Sequence, residues 1–274
     1  MSVINGYCTL ADLQAFIPNS TNASTSMLEQ SIEAASRAIE GATGKLFYPQ
    51  IKTNSYDLPN GYFRRELCLK DDLLALLTLT NGDDTTLAST EFDLWPYNWY
   101  PKSSVIIKDT SDYSFEASST GDTHNNIELL GIWGYHQNYS VAWTTGSTLN
   151  GAISSTSATS VTVTSGTLFV AGHIIRVDNE LMRVTNVATN TLTVDRGWNG
   201  STAATHLTLA TVTIWRAQAD IIRATLIQSA RYYRRDTTTF GTVGGGEMGV
   251  QAVTIPALDP DVMTIIDPYI SGRL

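Results

Sequence analysis

The chain has 274 residues, 42% of them hydrophobic and 16% charged, with a formal net charge of −9. That apolar share supports one large core or two to three small ones without metal or disulfide staples. The acidity argues against a groove that grips nucleic acid, which needs clustered Lys and Arg to neutralise phosphates.

The charge is unevenly placed. Residues 1–150 hold 17 acids and 8 bases, residues 151–214 hold 3 and 3, and residues 215–274 hold 6 and 6. Cys8 and Cys68 stand alone with no metal spacing, so both are expected to be free thiols in a reducing compartment. Met1–Tyr7 does not form a basic-then-apolar leader. No run approaches the ~18 apolar residues of a membrane span. A soluble chain with no membrane partner is expected.

In chain order, Leu10–Ile17 reads as a short helix capped by Thr9, with Leu10, Leu13 and Ile17 on its apolar side and Pro18 as its stop. A polar loop leads to Ser26–Gly44, the clearest element. Ser26 followed by Glu29 has the capping-box spacing. Leu28, Ile32, Ala35, Ile39 and Ala42 recur at helical steps. Gly44 supplies a left-handed end, and Lys45 suits the negative end of the dipole.

From Ile51 the pattern turns extended. Leu73–Thr80 fits a buried helix turn or a strand by periodicity. Asn81-Gly82 directly after it favours strand–turn–strand. Phe92–Trp95, Ser104–Lys108 and Ile127–Trp133 read as further strands, with a surface loop over 109–126. Gly146–Asn150 reads as a domain boundary. Short strands follow at 160–164, 173–177, 181–187, 191–194 and 210–215, which predicts a small barrel or sandwich.

Residues 216–235 return to helical spacing, with Ile221, Ile222, Thr225, Leu226, Ser229, Ala230 and Tyr233 on one side. Arg231, Arg234 and Arg235 crowd the helix end, either as solvated charges or as contacts to DNA phosphates or a neighbouring subunit. This helix is the expected partner of the Ser26 helix. Gly244, Gly245 and Gly246 form a hinge. Asp259-Pro260 reads as an N-cap with proline at the first helical position, opening a short helix over 262–266 that Pro268 ends.

No residue set reads as catalytic. There is no nucleophile elbow, zinc-protease motif or Walker pattern. The pairs Asp71-Asp72, Asp83-Asp84 and Asp259/Asp261 are better explained as turn and cap residues. His124, His136, His173 and His206 lack ligand spacing. Trp95, Trp99 and Trp133 read as core residues before a sugar platform. No enzyme activity, metal or cofactor is expected.

The two ends then carry a resemblance. IEAASRAIEGATGKLFYP and ADIIRATLIQSARYYRRDTTTFGTVGGGEMGVQAVTIPALDPDVMTIIDPYISGRL together resemble the opening and closing segments of tailed-bacteriophage head–tail connector (adaptor, or head-completion) proteins. The likeness spans residues 1–49 and 216–274, about 40% of the chain. Residues 172–206 are also similar to a small β module of phage structural proteins.

The resemblance implies an α+β fold. A helical adaptor core of residues 1–49 and 216–274 would carry a β-rich domain over 50–147 and an inserted all-β domain over 148–215. It implies a virion neck protein, assembled in the host cytoplasm as a homo-oligomeric, commonly dodecameric ring under the portal protein. That ring would pass double-stranded DNA through its channel and receive stopper, terminator or tail-tube proteins. It assigns portal binding to a C-terminal arm with Val253, Ile255, Pro256, Leu258, Val262, Ile265, Ile266 and Tyr269. The β insertions depart from compact, mostly helical members. The alternative reading is a virion carbohydrate-binding module for cell-surface recognition.

Overall fold

The computed structural model describes residues 3–18, 24–59, 64–237 and 257–270. The chain is mixed α+β, with antiparallel sheets, and divides into two compact units. One comprises Met1–Gly44, Val170–His173 and Ala217–Leu274; the other comprises Lys45–Phe169 and Ile174–Arg216.

The first unit is built on helices. Helix α1, Leu10–Phe16, opens with a reciprocal cap: Asp12 N–H donates to the Thr9 hydroxyl at 3.1 Å, and Thr9 N–H donates to Asp12 at 2.9 Å. Helix α2 spans Thr25–Thr43 and ends on Gly44, whose φ of 68° and N–H bond to Glu40 match the expected left-handed cap. The expected Ser26/Glu29 box does not form. Ser24 takes the extended N-cap geometry, which leaves Ser26 inside the first turn, where it accepts from Gln30 Nε2 at 3.3 Å.

The buried face of α2 mixes Leu28, Ile32, Ala35 and Ile39 with Ser31, Ser36 and Thr43. Those hydroxyls bond the carbonyls of Met27, Ile32 and Ile39 at 2.8, 2.8 and 2.9 Å, so none of the three is stranded by burial. Helix α4, Ala219–Thr237, uses the same device, with Thr225 and Ser229 bonding the carbonyls of Ile221 and Thr225. α2 packs on α4 and α1 touches both. Leu13, Ile17, Leu28, Ile32 and Ala230 share one buried cluster there with Val3 and Cys8.

The second unit holds two sheets. Strands β1 (Gln50–Tyr56), β2 (Glu66–Thr80), β3 (Thr86–Leu87), β4 (Phe92–Trp95), β5 (Lys102–Ile107) and β6 (Ile127–Trp133) form the first, in the order β1-β6-β2-β5-β4 with β3 on β2. The ambiguous run Leu73–Thr80 is strand, pairing with β6 from Leu73↔Trp133 to Thr80↔Glu128. Its neighbour run joins it in one 15-residue strand, with the register shift between Cys68 and Leu73 falling on the acidic pair.

The hairpin after β2 exists, but its loop is five residues, closed by Asn81 N–H on Thr85 O at 2.8 Å. Asn81 is drawn inward, accepting from Glu116 N–H and donating to Ser114 O. A Cβ on Gly82 would lie 2.2 Å from Glu116 O, so glycine is what allows this approach.

After the short helix α3 (Tyr139–Ala142), the second sheet comprises β7 (Trp143–Thr148), β8 (Ser160–Thr162), β9 (Ile174–Val177), β10 (Glu180–Ala188), β11 (Thr191–Asp195) and β12 (Thr211–Trp215). Its order is β7-β12-β9-β10-β11-β8, and a Leu149↔Val163 bridge joins the two ends. Val161, Ile175, Val177, Met182, Val184, Leu192, Val194, Val212 and Ile214 fill its inner face. The expected boundary at Gly146–Asn150 is not a linker, because residues 143–148 form β7 and pair with β12. The 197–200 turn meets the first sheet, with Asn199 Nδ2 donating to Pro49 O at 2.9 Å.

Candidate functional site

The C-terminal face of the helical unit collects most of the predicted site residues that are described. Helix α5, Pro260–Ile266, starts on Asp259, whose carboxylate accepts Asp261 N–H at 3.0 Å, with Pro260 at the first position. It runs on into a 3-10 turn over Asp267–Tyr269, so Pro268 sits inside that turn rather than ending the structure.

α5 is latched to α4 at both ends. The fully buried Gln228 accepts Asp259 N–H at 2.9 Å and donates to Ala257 O at 3.4 Å. At the far end the Tyr269 hydroxyl donates to the Asp220 carboxylate and accepts from Gln218 Nε2 at 3.1 Å. Val262, Ile266 and Tyr269 are buried in this packing. Their apolar surface is covered by the chain itself. Leu258 and Ile265 are partly exposed. Val253, Ile255, Pro256, Gly244, Gly245 and Gly246 lie outside the described residues.

Arg231, Arg234 and Arg235 come together around an open cavity of about 600 Å³ that Phe16, Pro18 and Ile227 also line. Arg234 and Arg235 are exposed. Arg231 is not a solvated end group; its side chain is 17% exposed and lies 3.5 Å from the Asp259 carboxylate. The cavity is therefore a basic rim over an apolar floor, with one arginine fixed by the α5 cap.

The acidic pairs have structural partners. Asp71 accepts from Lys52 and Asn54, Asp72 pairs with Lys45 at 3.3 Å, and Asp83 accepts Thr85 N–H in the turn. Burial pushes the Asp72 carboxyl up, against the pull of Lys45. Among the described residues no group of three His, Cys, Asp or Glu is placed to hold a metal ion. Among the same residues no helix is long and apolar enough to cross a membrane.

Sequence reasoning missed a buried charge cluster. His206 lies between Asp178 and Glu180, with Nδ1 and Nε2 each 2.8 Å from a carboxylate oxygen. Glu180 also accepts from Arg196 Nε at 2.7 Å, Arg196 Nη2 at 2.8 Å, Gly197 N–H at 3.0 Å and Ala204 N–H at 2.9 Å. Burial alone would raise its pKa, but these hydrogen bonds outweigh it and hold the carboxyl at about 2. With both oxygens saturated, Glu180 acts as a clamp on residues 196–206 and offers no proton to a substrate. The balanced acid and base count of residues 151–214 was the available signal: Glu180–Arg196 and Arg183–Asp195 both pair there.

The tryptophans divide. Trp133 is buried, with its indole N–H on Lys52 O at 2.9 Å. Trp95, Tyr97 and Trp99 are 46%, 55% and 73% exposed, so the expected core role fails for Trp95 and Trp99. Trp95 ends β4, paired with Ser104, and Tyr97 and Trp99 lie on the β4–β5 connection. Beneath them Lys102 Nζ donates to the carbonyls of Pro96 and Tyr97 at 2.6 and 3.0 Å and lies 4.2 Å from the centre of the Tyr100 ring. No protein-family model, curated protein or solved structure matches this chain.

Proposed function

We propose that the chain is a structural subunit of a tailed-bacteriophage neck, a head–tail adaptor that forms a ring under the portal and receives the tail. One observation carries the reading. The two stretches that bear the resemblance, far apart in sequence, pack as α2 on α4 within one helical unit. In this reading the helices are the adaptor core. The two sheets are insertions, the second curling into a small barrel.

The reading assigns portal contact to Val253, Ile255 and Pro256 with the partly exposed Leu258 and Ile265. Val262, Ile266 and Tyr269 anchor α5 on its own subunit. Arg234 and Arg235 face the DNA channel or the adjacent subunit. The saturated Glu180 and the paired aspartates support a structural role over a catalytic one.

A nonsense mutation in the gene within its phage tests this. DNA-packaged heads without tails, accumulating beside free tails in electron micrographs, are the expected result. Normal tailed virions would overturn it.

A further inference from the structure

The register of the second sheet sorts its residues by face. Ile175, Val177, Val212 and Ile214 point into the core. Their neighbours Arg176, Asp178, Thr211 and Thr213 are left on the outer face, with Thr213 opposite Arg176 across the β12–β9 pair. Helix α3 and the start of β7 bring Tyr139 and Trp143 beside them. Together with the exposed Ser140 they line an open cleft of about 420 Å³, within the size range of small-molecule sites.

The walls of the cleft are held in place. Arg176 donates to the Tyr139 hydroxyl at 3.2 Å, to Asp178 O at 2.6 Å and to Asn179 Oδ1 at 3.3 Å. Its guanidinium carbon lies 5.8 Å from the centre of the Trp143 ring, which in turn sits edge-on to the buried Trp215 at 5.1 Å. The Asp178 carboxylate is fixed by His206 yet 65% exposed. Tyr139 also meets the Tyr100 ring at 5.7 Å, so the exposed aromatic loop borders the cleft.

We propose that this cleft binds a neutral oligosaccharide. A pyranose ring pairs an apolar C–H face with a rim of hydroxyls, and the lining offers both counterparts. The aromatic rings supply flat apolar surface, while the hydroxyls, guanidinium and carboxylate supply directional donors and acceptors. One Arg and one Asp cancel in charge, which disfavours an anionic ligand and gives nucleic-acid phosphates nothing to neutralise. A peptide cannot extend β12, the strand that carries Thr211 and Thr213, because β7 and β9 pair it on both sides. The assignment is independent of the adaptor reading and concerns the β unit alone.

The full-length protein would be screened on an array of neutral and sialylated glycans beside an immobilised heptapeptide library. The strongest glycan would then be titrated by calorimetry and tryptophan fluorescence. The expected result is saturable binding of a neutral oligosaccharide with a change in indole emission. Thr211→Arg and Ser140→Arg, which place bulk in the cleft from exposed positions, should each weaken it at least tenfold with an unchanged melting temperature. Binding that survives both substitutions, binding confined to sialylated glycans or peptides, or no binding on either surface would overturn the proposal.

Discussion

The Arg196 guanidinium meets the Glu180 carboxylate with Nε 2.7 Å from Oε1, and the two side chains are 5% and 0% exposed. Arg196 also reaches the carbonyls of Ser155, Ala158 and Ala204. One ion pair therefore gathers two loop segments, the one holding Ser155 and Ala158 and the one holding Ala204, onto β10. Removing either partner strands a buried charge, so Glu180→Ala and Arg196→Met should each destabilise by about 3–5 kcal/mol. The double variant should cost clearly less than the sum of the two. Urea unfolding of the three variants against the native chain measures both quantities.

The same carboxylate sets an acid limit. Its folded pKa of about 2 lies below the ordinary value of 4.5, so the unfolded chain binds its proton more tightly than the folded one. The stabilisation is fully present above about pH 4.5 and is lost as pH falls toward about 2. Glu40 and Asp72, whose carboxyls are raised by burial, act in the opposite sense. A comparison with Glu180→Gln isolates the clamp. The melting-temperature gap between native and variant chains should be constant above that window and shrink through it.

The α5 latch makes a local prediction. Gln228→Ala removes the partners of Asp259 N–H and Ala257 O, and Tyr269→Phe removes the hydroxyl held by Asp220. Each should cost about 1–3 kcal/mol. Hydrogen exchange should speed up over 257–270 and leave the β unit protected. Uniform loss of protection would mean that α5 belongs to the global folding unit rather than to a latch.

The two thiols should separate by reactivity. Cys8 is buried and Cys68 exposed, and no disulfide joins them. Burial, with Asp12 adding to it, pushes the Cys8 thiol up, which suppresses its thiolate. A maleimide at neutral pH should modify Cys68 in the native protein and Cys8 only after denaturation, as intact-mass measurement would show.

Local signals in the sequence read well where the interaction itself is local. Thr9, Gly44 and Asp259-Pro260 mark helix ends because each cap involves neighbours a few residues away. The Ser26/Glu29 spacing misled because Ser24, two residues earlier, could start the helix, and spacing alone does not choose between frames. Trp95 and Trp99 misled because hydrophobicity predicts burial only where another element covers the ring: Trp95 ends the edge strand β4, and Trp99 lies in the loop after it. The clamp of Glu180, Arg196 and His206 was illegible because tertiary pairing brings its three members together. Tyr269 shows the remaining gap: the resemblance assigned it to portal contact, and its hydroxyl bond to Asp220 of α4 depends on tertiary packing that no local pattern marks.

The adaptor reading is tested most directly by native mass spectrometry of the purified protein mixed with its phage's portal ring, with and without truncation after Gly246. The account predicts stoichiometric rings of the full-length chain on the portal and loss of that complex on truncation. Failure of the full-length protein to bind the portal, or its behaviour as a closed two-fold dimer indifferent to it, would contradict the account.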